Sequence, residues 1–275
     1  MDFSHQALIA LDQSYNLAKF YNAEITLIYV IPEGGAVSKL FGGAKGDAAT
    51  KSEIEDKLHK LGQDIEKKKG IKVNNLVTQG LAHEMILEAA NVLKAKMIIM
   101  GTRHISGAIK KLLGGSVAFR VIRAAKCPVV TIRGNTHRDG CGSIVLPIDL
   151  TKETREKVNM AIELGTLYGS TIRVVSVLFS MDEFIVNRLT RQMEQVKQHI
   201  QKSEVKCTTE IIKTIDDKKP LWQAVIDYST KIEADLIMIM SQQEEGELIP
   251  IMSSNAQNLI NHSDIPVMSI RVIGE

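Results

Sequence analysis

The stretch GGSVAFRVIRAAKCPVVTIR, residues 114–133, returns near the other end of the chain as MSSNAQNLINHSDIPVMSIR, residues 252–271. Likeness is strongest in the closing segments, CPVVTIR against IPVMSIR, and Ser116 stands as far from Pro128 as Ser254 does from Pro266. Each copy opens on a serine ahead of an amphipathic run and closes on a short apolar run after proline, the pattern of a capped helix followed by a buried strand. Further back, DFSHQALIALDQSYNLAKFYNAEITLIYV from Asp2 aligns without a gap on DLTKETREKVNMAIELGTLYGSTIRVVSV from Asp149. The chain is therefore two copies of one unit. The expected units are residues 1–134 and 142–275, joined by GNTHRDGCG at 134–142, where Gly, Asn and Asp crowd together as linkers do.

Within each unit, short β-branched runs alternate with longer helical stretches. In the second copy the pattern predicts strands at 143–148, 171–178, 206–214, 234–240 and 266–272, with helices near 152–168, 183–202, 219–232 and 254–262. The first copy repeats the order, with helices near 4–21, 49–69, 81–94 and 116–125. Apolar strands without polar alternation, each followed by an amphipathic helix, argue for parallel sheets covered on both faces. The expected class is α/β: two tandem doubly wound, flavodoxin-like five-stranded sheets.

One strand is missing from that count. Asp149 follows SIVLPI, a clear strand, whereas its counterpart Asp2 follows only Met1. In flavodoxin-like winding this strand is central, so its loss would expose backbone groups and uncover apolar side chains. The expectation is a start further upstream, or another segment in the gap. An intact mass of the natively expressed protein matching residues 1–275 would overturn the upstream version.

Composition removes several function classes. With 44% hydrophobic and 24% charged residues the chain is ordinary globular material, and 34 Lys plus Arg against 32 Asp plus Glu leave a net charge of only +2. Bulk electrostatics therefore give no reason to expect nucleic acid or a membrane surface as partner, and any anion site must be local. No apolar run approaches a membrane span and no leader pattern opens the chain, so the expected compartment is the cytoplasm. Cys127, Cys141 and Cys207 are odd in number and widely spaced, which fits reduced thiols rather than a disulfide framework or zinc site. Neither a Walker loop nor a dinucleotide fingerprint nor a Gly-x-Ser-x-Gly elbow is present. The acidic pairs Asp216–Asp217 and Glu244–Glu245 fall in polar loops and read as solvated turns.

The richest segment for chemistry is IIMGTRHISGAIKKLLGGSV, residues 98–117, a strand, a glycine-broken loop and a serine-led helix start. Its glycines let backbone amides approach an anion, Gly114–Gly115 suit a backbone nest, and Ser116 caps a helix whose first N–H groups are unpaired. Arg103, Lys110 and Lys111 add positive charge. The alternative is a tight turn beside a solvated basic face. PEGGAVSKLFGGAKGD, residues 32–47, follows the second strand on the same strand-end side and is expected to form a flap over any ligand.

With these residues in view, both halves resemble universal stress protein domains, and the whole resembles the tandem members of that family, over essentially the full chain. Its nucleotide-binding members carry, after the fourth strand, a glycine, two residues, a second glycine, nine residues, then glycine followed by Ser or Thr. Gly101 matches the first glycine, but His104 stands at the second. The final pair falls on Gly114–Gly115, with an actual Gly-Ser one place later at Gly115–Ser116, as though one residue had entered the loop. The resemblance implies ATP, with or without Mg, or a related adenine nucleotide in the first unit. Its phosphates would lie at Gly101, Arg103, His104, Gly114, Gly115, Ser116 and Val117, with adenine and ribose near Asp2 and the backbone of Val30. Asp2 also reads as part of a helix N-cap, and His104 either donates to a phosphate or fills the space glycine would leave.

The second unit departs further. SQQEEGELIPIMSSNAQ, residues 241–257, keeps Ser254 but replaces the glycine ladder with Gln242, Gln243, Glu244 and Glu245. Carboxylates there repel a phosphate, so no ATP is expected in this half. Its expected role is to pair with the first half as an intramolecular pseudo-dimer through the fifth strands at 128–133 and 266–271. A homodimer of the whole chain is compatible with the same pattern, and its protein partners are not named by the sequence. Two functions follow: a nucleotide-binding stress-response module with little or no hydrolysis, since no base is positioned for it, or an interaction scaffold that keeps only the fold.

Overall fold

The computed structural model describes residues 1–32, 44–102, 117–134, 140–148, 155–178, 182–213, 219–241 and 254–271. The first half runs α1 (His5–Phe20), β1 (Ile25–Ile31), α2 (Ala44–Lys69), β2 (Val73–Gln79), α3 (Ala82–Val92), β3 (Ile98–Gly101), α4 (Val117–Ala124) and β4 (Val129–Ile132). The second runs β5 (Ser143–Pro147), α5 (Arg155–Tyr168), β6 (Thr171–Leu178), α6 (Glu183–Gln201), β7 (Lys206–Lys213), α7 (Leu221–Lys231), β8 (Leu236–Met240), α8 (Ser254–His262) and β9 (Val267–Ile270). These bounds follow the sequence patterns within a few residues. One difference is the start of α2, which takes in Ala44–Asp47 at the end of the expected flap. Residues 33–43 of that segment lie outside the described residues.

The duplication extends to single backbone bonds. Ile98 N–H donates to Pro128 O at 3.0 Å as Ile237 N–H does to Pro266 O, and Thr102 N–H donates to Ile132 O at 2.8 Å as Ser241 N–H does to Ile270 O. Left-handed residues recur at matching turns, Asn22 (φ 46°) with Gly169 (φ 66°) and Lys94 (φ 49°) with Glu233 (φ 53°). Gly101 to Pro128 spans one residue more than Met240 to Pro266, so the first half carries the longer loop.

The second half forms the expected parallel five-stranded order β9-β8-β5-β6-β7. The first half does not close in the same way. Its strands form two separate parallel pairs: β1-β2 stands as a two-stranded sheet, and β3-β4 joins the second half's sheet. The join is antiparallel, with Val129 opposite Ser269, Val130 opposite Met268 and Thr131 opposite Val267, and Thr131 Oγ1 donates to Val267 O at 3.2 Å. This makes one seven-stranded sheet, β3-β4-β9-β8-β5-β6-β7, across both halves. The two fifth strands do form the pseudo-dimer seam.

Alternation along β5 sends Ile144 and Leu146 into a core with α1, α5 and α6, and Val145 into a second core with α4, α7 and α8. A third, smaller core, built on Leu11, Ala18, Leu27, Leu58 and Ile65, holds β1 to α1 and α2. Helix α1 thus has two buried faces, Ile9 and Ala10 toward the large sheet and Leu11 and Ala18 toward the small one. It takes up the junction between the sheets, where the second half has a strand. No described helix is long and apolar enough to cross a membrane.

Burial also sets the alkaline behaviour. It pushes the hydroxyls of Tyr15, Tyr168 and Tyr228 up to about 12 and the thiol of Cys207 up to about 11. Unfolding returns these groups to ordinary values, so between about pH 9 and 12 the folded chain binds more protons than the unfolded one. Stability falls with rising pH across that window, which urea titrations at stepped pH should record. Cys207, at 8% exposed, should also react with a disulfide reagent at pH 8 far more slowly than the denatured chain.

Candidate functional site

In open parallel sheets, ligands bind beyond the carboxyl ends of the strands, where the strand order reverses. In the first half that point lies between β1 and β3, and α1 begins there. Ser4 is the N-cap of α1, its Oγ accepting from Ala7 N–H at 3.3 Å, and Asp2 Oδ1 accepts from Ser4 N–H at 3.0 Å. Asp2 therefore supports the cap without being it, closing the short turn that carries Phe3 at φ 57°. Its exposed carboxylate remains at the surface.

On one side of this turn the Met1 amine donates to Ile28 O of β1. Burial of that amine pushes its pKa down. On the other side the backbone of Gln6 and Ala7 lies directly against Gly101. A Cβ at Gly101 would stand 2.5 Å from the Gln6 carbonyl carbon, 2.6 Å from its oxygen and 2.8 Å from Ala7 N. Val30 is two residues beyond Ile28. Because Ile25 N–H and Ile31 O bond toward β2, alternation turns the backbone groups of Val30 away from β2 and toward β3.

The structure thus brings Asp2, Val30 and Gly101 to one end of the first half. Val117 opens α4 and is 40% exposed. Arg103, His104, Gly114, Gly115 and Ser116 lie outside the described residues. Gly101 acquires a packing role that its place in the glycine pattern did not disclose: it admits the first turn of α1.

The second half holds a residue that sequence reasoning passed over. Lys157 in the first turn of α5 is only 8% exposed, and its Nζ donates to Pro147 O at 2.5 Å, at the carboxyl end of β5. The gapless alignment places it opposite Ala10, itself buried. That exchange of a small apolar residue for a lysine was the available signal. In the second half a cation is drawn in to a strand-end carbonyl, at a residue that the alignment matches to a buried alanine in the first half.

Comparison with known proteins follows the same division. The model of the universal stress protein family matches residues 1–133 and again residues 141–271. The chain belongs to the universal stress protein family. A universal stress protein of Methanocaldococcus jannaschii is 35% identical over 140 residues, 48% of this chain and 78% of that protein. The universal stress protein YxiE of Bacillus subtilis is 30% identical over 141 residues, 48% of this chain and 95% of that protein. Among solved structures, a universal stress protein from Archaeoglobus fulgidus superposes with a TM-score of 0.76 at 19% identity, covering 98% of this chain and 94% of that one. That likeness extends the universal stress protein fold across both halves.

Proposed function

We propose that the first half, residues 1–134, binds ATP or a related adenine nucleotide, with or without Mg, and that the protein acts in stress response as a regulatory module with little or no hydrolysis. The observation that carries this reading is the first turn of α1. It is bonded to β1 through Met1 and seated on β3 at Gly101, so Asp2 and the backbone of Val30, turned away from β2, flank the reversal of strand order. The adenosine would meet Asp2 and Val30. The phosphates would meet Gly101, Arg103, His104, Gly114, Gly115, Ser116 and Val117, where backbone amides and the start of α4 suit an anion. Confinement to the first half rests on the second half's loop sequence, where Glu244 and Glu245 would repel a phosphate.

Calorimetric titration of Mg-ATP into the full chain, beside a Gly115→Val variant, tests this. The expected result is saturable binding tighter than about 1 mM, lost in the variant while its thermal transition is kept. No heat at millimolar ATP would sink the reading. One observation favours the second reading, a nucleotide-free interaction protein: the close approach of Gln6 accounts for Gly101 without any ligand.

A further inference from the structure

The strands at the seam are near copies, CPVVTIR and IPVMSIR, so strand pairing alone would fit two first halves or two second halves as well as one of each. The charges around the seam are not copies. Val130 opposite Met268 marks its centre, and the residues on either side correspond in pairs. The gapless alignment matches Tyr21 with Tyr168 and Asn16 with Glu163. Ile98 and Ile237 make the same bond to Pro128 O and Pro266 O, so Lys96 and Asp235, each two residues earlier, also correspond.

Lys96 of the first half reaches across to α5. Its Nζ lies 3.2 Å from Glu163 Oε1 and 4.9 Å from the centroid of the Tyr21 ring. Beside it, Phe20 of α1 meets the Tyr168 ring edge-on at 4.8 Å, so the two helices touch at this place. At the matching place Asp235 stands for Lys96 and lines one cavity with Gln13 and Leu17 of α1 and with Tyr168. Its Oδ2 accepts from Ser143 N–H at 3.0 Å. Helical spacing sets Asn16 on the face of Gln13 and Leu17, as it sets Glu163 on that of Met160 and Leu164. Lysine thus meets glutamate on one side of the centre, and aspartate meets asparagine on the other.

A second pair crosses the seam at its rim, where Arg133 Nη1 lies 3.8 Å from Asp264 Oδ1. The corresponding residues, Arg271 and Lys126, are both cationic, and Arg271 Nη1 donates instead to Arg123 O at 3.5 Å. Joining like halves in this geometry changes the sum. Two second halves would set Asp235 against Glu163 on both sides of the centre. Asp264 would still meet an arginine, Arg271, so the choice there falls to the carboxylates. Two first halves would leave Lys96 facing Asn16 and set Arg133 against Lys126. Repulsion in the wrong pairing discriminates as effectively as attraction in the right one.

We infer that these charges key the seam to one first half and one second half, with Lys96 and Glu163 as the selecting pair. A second copy of this chain can then enter the seam only by setting its first half on the other chain's second half, or the reverse. The inference does not rest on nucleotide binding.

The test is urea unfolding of the full-length chain in low salt and in 1 M NaCl. Lys96→Glu brings together in one chain the two carboxylates that paired second halves would bring together, and should lower the folding equilibrium constant about tenfold in low salt. The reversed pair, Lys96→Glu with Glu163→Lys, should recover most of that loss. At the matching place Asn16→Lys, facing Asp235, should raise the constant about threefold and Asn16→Glu should lower it by a similar factor. All four effects should shrink in 1 M NaCl, where charges are screened within a few ångströms. A reversed pair no more stable than Lys96→Glu would overturn the inference. So would equal effects of Asn16→Lys and Asn16→Glu, which would mean that Asp235 does not face α1 as Lys96 faces α5.

Discussion

Gly101→Ala should destabilise the protein by about 3 kcal/mol, at the upper end of what forced overpacking costs. The added Cβ would stand 2.5–2.8 Å from three backbone atoms of Gln6 and Ala7. A flexible side-chain tip can swing aside from such a contact, but a helix backbone cannot. Either α1 lifts its first turn, straining the Ser4 cap and the Met1–Ile28 bond, or β3 shifts against β4. Guanidinium titration of wild type and variant at unchanged m-value reads the loss directly. A change below about 0.5 kcal/mol, the range of an ordinary surface substitution, would show that α1 does not lie on β3. The equivalent position in the second half is Met240, so the demand for glycine is peculiar to the first half.

Met268→Asp should cost about 3–5 kcal/mol, the range for an uncompensated buried charge. Met268 is 1% exposed, pairs across the seam with Val130, and belongs to the core shared by Ile9 and Ala10 of the first half and Ile144, Leu146 and Met238 of the second. An aspartate there meets mostly apolar side chains, and the one carboxylate lining the same cavity, Asp235, would repel it. Burial favours its protonated form, so the loss should shrink as the pH falls toward 4. Met268→Leu, which nearly conserves volume, should cost less than about 1.5 kcal/mol and serves as the control. Because the seam ties both halves into one sheet, the aspartate should also broaden or split the unfolding transition. A single transition with stability unchanged would contradict the seam.

Both effects bear on function through position. Nucleotide binding by the first half would depend on Asp2, which lies in the short turn between Met1 and Gln6 and accepts from Ser4 N–H. A Gly101 variant that lifts α1 should therefore weaken ATP as well as stability, whereas Met268, across the seam, should act on stability first. Gly115→Val, in the loop itself, should act on ATP alone.

How much was legible in advance depended on the range of the interactions involved. Helix and strand periods are local, so the alternation of elements, the repeat and nearly all element bounds could be read directly. That no described strand pairs with β1 on its far side was foreshadowed too, because two aligned copies expose what one alone would hide. The pairing of the fifth strands was expected from the family resemblance, while the likeness of CPVVTIR to IPVMSIR showed only the repeat. Of the candidate site, Asp2, Val30 and Gly101 were legible through the family pattern, but what each touches was not. Gly101 reads the same whether it faces a phosphate or a helix, and Lys157 reads as a surface lysine until the fold buries it.

The sequence by itself thus determined the class, the duplication and the family, since these rest on local periodicity and on residues repeated at fixed spacing. Tertiary structure alone decided that the first half splits into two strand pairs, that α1 occupies the junction between them, and that the seam makes one seven-stranded sheet. The physical reason is that a strand's hydrogen bonds lie with neighbours remote in the chain. Which edge is covered, and by what, is settled only when those neighbours are brought together.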